Sequence, residues 1–327
     1  MPIIISKFLL IFLVSTFLTW WMQSLAKVRG FLLDNGIPMV GGLAVSAALL
    51  GVLPVVTFPA FLDKRMFFIA TWSLTVLCFG ILDDLRAMSV WQKFLWQSVC
   101  AAGLLFSGVN LHLSWLGPWG SFALGFIWLV GLTNALNLLD VSDGVCTGVA
   151  LVSAAGIALL SFLSGRMEIY ILMCGLAMAL AGFWSFNLPP ARAYLGNAGS
   201  HFLGFLFAAV TLVLLADASD VRMFTGVLFV LWFPLLETAV LVVSRVGKGM
   251  SPLQKSPDHL ALRLGARGLG LLQVSATITG LALLFTLAGV ASYSFHAPVL
   301  DRWLVAGVIT ISIILIRYLF FTESNGK

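Results

Sequence analysis

Charged residues are scarce in this chain of 327 residues. They make up 9% of the sequence, whereas hydrophobic residues make up 61% and the mean hydropathy is +1.07. A soluble domain carries about 25% charged residues, because water must solvate its surface. The composition therefore excludes a water-soluble enzyme, a disordered chain and a nucleic-acid-binding domain, and it indicates a membrane protein.

Cysteines are also few, and their spacing forms no metal-binding or disulfide pattern. The four cysteines lie within or at the edges of apolar runs, without CxxC spacing: Cys78, Cys100, Cys146 and Cys174. We interpret them as small buried hydrophobic residues, which excludes a disulfide-rich secreted module.

Long apolar runs dominate the chain instead. A helix needs about 20 apolar residues to span a bilayer. The chain offers eleven such runs: 3–25, 37–57, 66–82, 91–109, 119–139, 144–164, 168–187, 199–216, 221–245, 269–292 and 302–321. The sequence predicts an all-α polytopic membrane protein, a single domain over residues 1–327 with about eleven transmembrane helices in one bundle. Most connections are short, and the exception is a basic loop at 245–268, which we expect to be cytoplasmic and to bind substrate.

Positive charges are unevenly divided between the two sides of these spans. Twelve Lys and Arg residues fall on the side reached after the first span, and six fall on the other. Lys and Arg accumulate in cytoplasmic loops. We therefore expect an integral protein of the inner (plasma) membrane, with its N-terminus outside and its C-terminus in the cytoplasm.

The remaining polar residues gather where spans 3, 5, 7 and 9 end, all on the predicted cytoplasmic side. Asp83 and Asp84 end span 3, and the polar segments 134–144, 187–201 and 245–259 follow spans 5, 7 and 9. Ionisable residues at membrane depth are costly and usually functional. The sequence thus predicts a site on the cytoplasmic face.

Four carboxylates lie on this face: Asp83, Asp84, Asp140 and Asp143. Apposed carboxylates repel one another unless a divalent cation or protons intervene. Mg²⁺ prefers such hard oxygen ligands together with substrate phosphates. The pattern therefore favours a magnesium-assisted reaction of phosphates.

Features that can bind a phosphate or a sugar accompany the carboxylates. The glycine-rich run 196–200 opens span 8, and a helix N-terminus favours phosphate. Lys93, at the start of span 4, can hold a phosphate, and Asn134, Asn137 and Asn187 add amides that can orient a sugar or nucleotide.

Each feature taken alone has a structural explanation as well. An Asp–Asp pair can be a solvated helix end, asparagines can join helices by hydrogen bonds, and Lys93 can snorkel to the interface. His259 can be a solvated loop residue, and Glu237 inside span 9 needs a partner that can be purely structural.

The order and spacing of these motifs resemble the polyprenyl-phosphate N-acetylhexosamine-1-phosphate transferases of glycosyltransferase family 4, over nearly the whole chain. The similar segments are Pro38–Gly42 (P-x-x-G-G), Asp83-Asp84, Lys93 with Gln97 (K-x-x-x-Q), Asn134–Gly144 (N-x-x-N-x-x-D-G-x-D-G), Asn187–Ala191 (N-x-x-P-A) and the loop Arg245–Leu264.

Three positions depart from the family pattern. Asn197 replaces the magnesium-binding aspartate of G-D-x-G-S, Val141 replaces the glycine after Asp140, and His259 alone remains of the H-L-H-H-x-L histidines. An asparagine oxygen can ligate magnesium but lacks the formal charge, and such charges contribute several kcal/mol at a dehydrated site. We therefore expect a weakened magnesium site.

The resemblance implies a phosphoryl transfer that begins cell-envelope glycan synthesis at the membrane. A polyprenyl-phosphate oxygen would attack the β-phosphorus of a UDP-N-acetylhexosamine, giving polyprenyl-pyrophosphoryl-sugar and UMP. The number of spans and the absent histidines favour this donor over a muramoyl-pentapeptide. The partners would be polyprenyl (undecaprenyl) phosphate, a UDP-sugar and the lipid bilayer, with no nucleic acid, and a homodimer is left open.

The resemblance also implies roles for individual residues. Catalytic roles fall to Asp83, Asp84 and Asp143. Mg²⁺, with Mn²⁺ as an alternative, would be bound by Asp143 and Asn197. The residues expected to bind substrate are Lys93, Asn134, Asn137, Asp140, Asn187, His259 and Arg263.

Two alternatives stay open. Asn197 and the missing histidines favour a catalytically weakened homologue that acts as a scaffold or lipid-phosphate binder. A transporter could use the acids as a cation or proton path. Their confinement to one face argues against it, because such a path needs polar groups near the midplane.

Overall fold

The structure is a computed structural model that describes residues 2–57, 63–113, 115–216, 221–252, 254–295 and 297–321. Its helices are α1 (Pro2–Arg29), α2 (Gly41–Thr57), α3 (Lys64–Leu85), α4 (Val90–Phe106), α5 (Gly117–Leu139), α6 (Val145–Leu163), α7 (Met167–Asn187), α8 (Gly196–Leu214), α9 (Val221–Val230), α10 (Trp232–Gly247), α11 (Leu260–Ala266), α12 (Leu271–Phe295) and α13 (Pro298–Phe321). A short antiparallel hairpin, β1 (Leu33–Asp34) and β2 (Ile37–Pro38), joins α1 to α2.

The prediction of an all-α polytopic membrane protein is confirmed. Within the described ranges, eight helices are long and apolar enough to cross a membrane, and α9 with α10 would make a ninth, bent span. All eleven predicted runs fall on helical segments. Because α2 and α4 have 17 residues each, the number of eleven spans stays a prediction.

The run 221–245 is one predicted span, but the structure divides it into two helices that meet at an angle of 68°. The break lies at Leu231, and Pro234 follows in the first turn of α10. Proline has no N–H to donate and is therefore tolerated in a first turn but not inside a continuous helix. The bend turns α10 toward α5 and toward the loop that carries His259.

Helix α8 forms the centre of the bundle. All residues from Ala198 to Leu214 are buried, and the helix packs against α2, α3 and α5. A helix that is apolar nearly all round is typically enclosed by others, and Phe202, Phe205 and Phe207 fill the surroundings of α8. By contrast, α1 and α13 expose many large apolar side chains, as helices that face lipid do.

Two glycines bring neighbouring helices directly onto the backbone of α8 at its N-terminal end. A Cβ atom on Gly42 of α2 would overlap the nitrogen of Gly199, and one on Gly80 of α3 would lie 2.5 Å from the Cα of Ala198. This close approach places the last turn of α3, which carries Asp83 and Asp84, beside the first turn of α8.

Candidate active site

Asp84 caps the N-terminus of α8 from the end of α3. Its Oδ1 accepts a hydrogen bond from the backbone nitrogen of Asn197 at 2.8 Å, and its Oδ2 accepts one from Ala198 at 3.0 Å. A carboxylate is favourable at a helix N-terminus because the free N–H groups point toward it. The phosphate that the sequence suggested at this N-terminus is thus replaced by a carboxylate of the protein.

Asp83, the neighbouring residue, is buried and fixes the turn between α3 and α4. Its Oδ1 accepts a hydrogen bond from the backbone nitrogen of Met88 at 2.8 Å, and its Oδ2 lies 2.6 Å from Nζ of Lys93. The Lys93 side chain is 27% exposed, so its charge is accessible from outside the bundle. The structure therefore brings together two of the predicted site residues as an ion pair.

Asn137 connects α5 to the start of α8. Its Nδ2 donates to Oδ1 of Asn197 at 3.0 Å and lies 3.1 Å from Oγ of Ser200. Asn134, one turn earlier, faces α4 instead, where it forms a reciprocal amide pair with Gln97. Asn137 thus lies with the carboxylates, whereas the amide of Asn134 joins two helices.

Asp140 and Asp143 lie in the turn between α5 and α6. Oδ2 of Asp143 accepts a hydrogen bond from the backbone nitrogen of Ala191 at 2.9 Å. Burial, together with the charges of Asp84 and Asp143, raises the pKa of Asp140 to about 7. These interactions define a carboxylate cluster (Asp83, Asp84, Asp140 and Asp143) with an excess of negative charge.

Asn187 is buried at the end of α7, and both ends of its amide are bonded within the protein. Its Nδ2 donates to the carbonyl oxygen of Ala193 at 3.0 Å, and its Oδ1 accepts a hydrogen bond from Thr147 at 2.7 Å. These bonds hold the turn 188–195 against α6. Asn187 therefore supports the turn 188–195, which leads to Asn197, from the buried side.

His259 lies in the loop after α10 and contacts Glu237 of that helix. Nδ1 of His259 is 3.0 Å from Oε1 of Glu237, and the backbone nitrogen of Leu260 donates to the same carboxylate. All three groups are buried. The partners of Glu237 are thus the imidazole of His259 and the backbone N–H of Leu260, at the start of α11.

Arg263 belongs to the same loop region and shares Asp258 with Lys248. The guanidinium of Arg263 also stacks on Phe320, 3.6 Å from the ring centroid. Burial raises the pKa of Asp258, but the hydrogen bonds from Lys248, Arg263 and Ser244 outweigh this and lower it to about 2. The described partners of His259 and Arg263 come from α10, α13 and the loop itself, and none of them belongs to the carboxylate cluster.

Sequence reasoning missed two side chains that these contacts identify. Ser200 receives the second contact of Asn137, and its position three residues after Asn197 was the available signal. Asp258 holds two cations, and the available signal was an acid in an otherwise basic loop.

The acids of the site suit a magnesium ion that shares its coordination with a substrate. Within the described residues, no group of three or more His, Cys, Asp and Glu side chains could hold a metal on its own. Mg²⁺ usually takes one or two carboxylates and completes its shell with water and substrate phosphates. Asp140 and Asp143 are the pair we consider for such a shared site, because the charge of Asp143 contributes to the raised pKa of Asp140 and a cation would relieve this repulsion. Ligation by Asn197 stays a prediction, because its Oδ1 already accepts a bond from Asn137.

A family model described as glycosyl transferase family 4 matches residues 66–215, the stretch from α3 to the end of α8. This stretch contains the whole carboxylate cluster together with Lys93, Asn137 and Asn197.

Curated relatives extend the similarity beyond this stretch. A probable undecaprenyl-phosphate N-acetylglucosaminyl 1-phosphate transferase of Bacillus subtilis is 27% identical over 72% of this chain and 68% of the relative. An undecaprenyl-phosphate alpha-N-acetylglucosaminyl 1-phosphate transferase of Escherichia coli O157:H7 is 26% identical over 94% of this chain and 88% of the relative. A phospho-N-acetylmuramoyl-pentapeptide-transferase of Limosilactobacillus fermentum is 35% identical over 52% of this chain and 53% of the relative.

Proposed function

Because the chain belongs to glycosyl transferase family 4, we propose that it transfers a sugar-1-phosphate from a UDP-N-acetylhexosamine to undecaprenyl phosphate. The products are undecaprenyl-pyrophosphoryl-sugar and UMP. The observation that carries this proposal is the meeting of α3, α5 and α8 in one polar cluster, where Asp84 and Asn137 both bond Asn197. The donor comes from water and the acceptor from the bilayer, so the reaction needs such a cluster at the end of a membrane bundle.

On the acceptor side, Lys93 binds the lipid phosphate and Asp83 positions Lys93. Asp83 is buried and paired with Lys93 at 2.6 Å, which leaves the partly exposed ammonium group to meet a phosphate. The second pKa of a phosphate monoester is about 6. The attacking oxygen is therefore already ionised at neutral pH, and positioning by Asp83 is sufficient without proton abstraction.

On the donor side, Asp140 and Asp143 hold Mg²⁺, with Mn²⁺ as the alternative, and Asn137 orients the nucleotide sugar. A bound magnesium ion would neutralise the negative charge that develops on the diphosphate. Asp84 keeps the first turn of α8 in place through its backbone bonds. His259 and Arg263 contribute by holding the basic loop against α10 and α13.

The site faces the cytoplasm in this proposal, with the N-terminus outside and the C-terminus inside. The excess of Lys and Arg on the side of the carboxylate cluster supports this orientation. Assembly as a homodimer stays a prediction.

The test is UMP release by the purified protein supplied with undecaprenyl phosphate, Mg²⁺ and a panel of UDP-sugars. We expect turnover with a UDP-N-acetylhexosamine. Asp83→Asn and Asp143→Asn should each reduce it at least about 100-fold, because each removes a charge that holds a reactant or the metal. Asp63→Asn is the matched control. Asp63 caps the opposite end of α3 through a bond to the backbone of Arg65, and asparagine caps equally well.

Two results would contradict the proposal or its residues. Release of UMP that survives both Asp83→Asn and Asp143→Asn would reject the assigned site. Absence of UMP with every donor, combined with Lys93-dependent binding of undecaprenyl phosphate, would favour the second candidate, a catalytically weakened lipid-phosphate binder. Asn197 is the observation that favours this candidate, because it lacks the charge of an aspartate.

A further inference from the structure

Asn197 lies between Asn137, which bonds its side chain, and Asp84, which bonds its backbone. Nδ2 of Asn137 donates to Oδ1 of Asn197 at 3.0 Å, and the backbone nitrogen of Asn197 donates to Oδ1 of Asp84 at 2.8 Å. An amide is neutral and offers both an acceptor and donors, whereas an ionised carboxylate only accepts and carries a charge. The amide therefore accepts the bond from Asn137 without adding a negative charge beside Asp84, as an aspartate would.

The charges around Asn197 make its neutrality important. Asp84 interacts electrostatically with Asp83, and Asp140 interacts with Asp84 and Asp143. Another carboxylate at position 197 would face Asp84 directly and would need a cation or a proton between the two groups. With an amide in this position, Asp84 receives two backbone N–H groups and faces no further charge at residue 197, so its charge is compensated by the protein itself.

We propose that Asn197 takes the structural place of a divalent cation at the start of α8. The free protein then folds and keeps Asp84 in position without bound metal. Divalent cations bind tightly only when a substrate diphosphate adds its oxygen ligands to those of Asp140 and Asp143. This second part rests on the proposed function, whereas the metal independence of the free protein rests on the hydrogen bonds of Asn197 alone.

The experiment measures thermal unfolding and metal binding of the full chain in detergent, without substrate. The wild type, Asn197→Asp, Asn197→Ala and the control Asn110→Asp are compared in EDTA and in increasing Mg²⁺ or Mn²⁺ at constant ionic strength. Asn110 lies in the connection between α4 and α5, where its Nδ2 bonds the carbonyl of Leu105. Binding of Mn²⁺ is followed directly by electron paramagnetic resonance.

We expect the unfolding temperature of the wild type to be the same in EDTA and in Mg²⁺. Asn197→Asp should unfold at a temperature lower by about 5 °C or more in EDTA, recover with Mg²⁺ or Mn²⁺, and bind Mn²⁺ at least about tenfold more tightly than the wild type. Asn197→Ala should unfold at a lower temperature that metal does not restore, because it lacks both the bond and the added charge. Asn110→Asp should show no response to metal.

Saturable Mn²⁺ binding by the substrate-free wild type, as tight as that of Asn197→Asp, would overturn the proposal. So would an Asn197→Asp variant that is as stable as the wild type in EDTA. If Asn197→Asp does not fold, the wild type and Asn197→Ala still decide, since metal-dependent stability of either contradicts the idea. None of these measurements needs UMP release, so a failure here is distinguishable from a failure of the proposed transferase activity.

Discussion

Lys93 presents a partly exposed ammonium group whose position is set by a buried carboxylate. A charge-assisted hydrogen bond is worth about 1.5–3 kcal/mol, or about a 10- to 100-fold change in binding. Lys93→Gln should therefore raise the KM for undecaprenyl phosphate by about tenfold or more and leave the KM for the nucleotide sugar nearly unchanged. Steady-state kinetics with each substrate varied in turn measure this, with the exposed Lys255 changed to Gln as the matched control. An equal rise of both KM values would show that Lys93 does not act on the acceptor alone.

The lowered pKa of Asp258 predicts that the stability of the protein depends on pH through the loop after α10 rather than through the carboxylate cluster. Its pKa is about 2 in the folded protein and 3.8 in an unperturbed residue. A lowered folded-state pKa means that the ionised carboxylate stabilises the fold, completely above about pH 5 and progressively less between about pH 4 and pH 2. Asp258→Asn should cost about 1 kcal/mol, because solvent screens the half-exposed Lys248.

Thermal unfolding of wild type and Asp258→Asn at several pH values checks this. The difference between the two proteins should be the same at pH 7 and pH 5 and should shrink at pH 3. A difference that already shrinks between pH 7 and pH 5 would assign the effect to another group. The exposed Asp63, changed to Asn, provides the comparison.

The contact of α2 with α8 depends on the absence of a side chain at Gly42. A methyl group there would meet the backbone of Gly199, which cannot move aside as a flexible side chain could. Overpacking of this kind costs about 1–3 kcal/mol, and Gly42→Ala should also displace the first turn of α8 from Asp84. We therefore expect a lower unfolding temperature together with reduced UMP release.

Gly51, in the same helix, is the control, because nothing lies within 4 Å of a Cβ atom added there. Gly51→Ala should be neutral or stabilising, since alanine is favoured over glycine in a helix by about 0.5–1 kcal/mol. Equal stability of Gly42→Ala and Gly51→Ala would show that α2 does not rest on α8 as described.

The bend between α9 and α10 is a feature that the apolar pattern of the sequence does not predict. The apolar run 221–245 has the length of one span, and run length carries no information about direction within the run. Pro234 was the signal for a break, but proline also occurs inside continuous membrane helices whose neighbours satisfy the freed carbonyl. The 68° bend therefore depends on packing against α5 and α12, which is not visible in the run itself.

At the scale of the molecule, the grouping of the polar residues was predictable and their individual contacts were not. Counting spans puts Asp83, Asp140, Asp143 and Asn197 at the same end of the bundle, and in the structure Asp84, next to Asp83, accepts a bond from the backbone of Asn197. This works because the number of crossings alone determines the side on which a residue emerges. Their function as one site stays a prediction.

The direction in which each side chain points depends on the residues packed around it, and the number of crossings does not determine these. Asn134 and Asn187 lie at the correct end, yet their amides bond Gln97 and Ala193 inside the protein. His259 is 22 residues from its partner Glu237, and no helical or strand period connects them. The His259–Glu237 pair depends on the bend of α10 and on the path of the loop that follows it, so it could not be assigned from sequence spacing.

The orientation of the whole bundle is the prediction that rests most completely on charge. In the eleven-span topology predicted from the sequence, twelve of the 18 Lys and Arg residues fall on the side of the carboxylate cluster. A UDP-sugar is a cytoplasmic donor in the proposed reaction. In a variant without the four native cysteines, Lys255→Cys and Lys64→Cys place one thiol at each end of the bundle. A membrane-impermeant maleimide should label Lys64→Cys in intact cells and Lys255→Cys only after permeabilisation. The reverse pattern would place the site outside the cell, where no nucleotide sugar could reach it from the cytoplasm, and would reject the proposed reaction together with the topology.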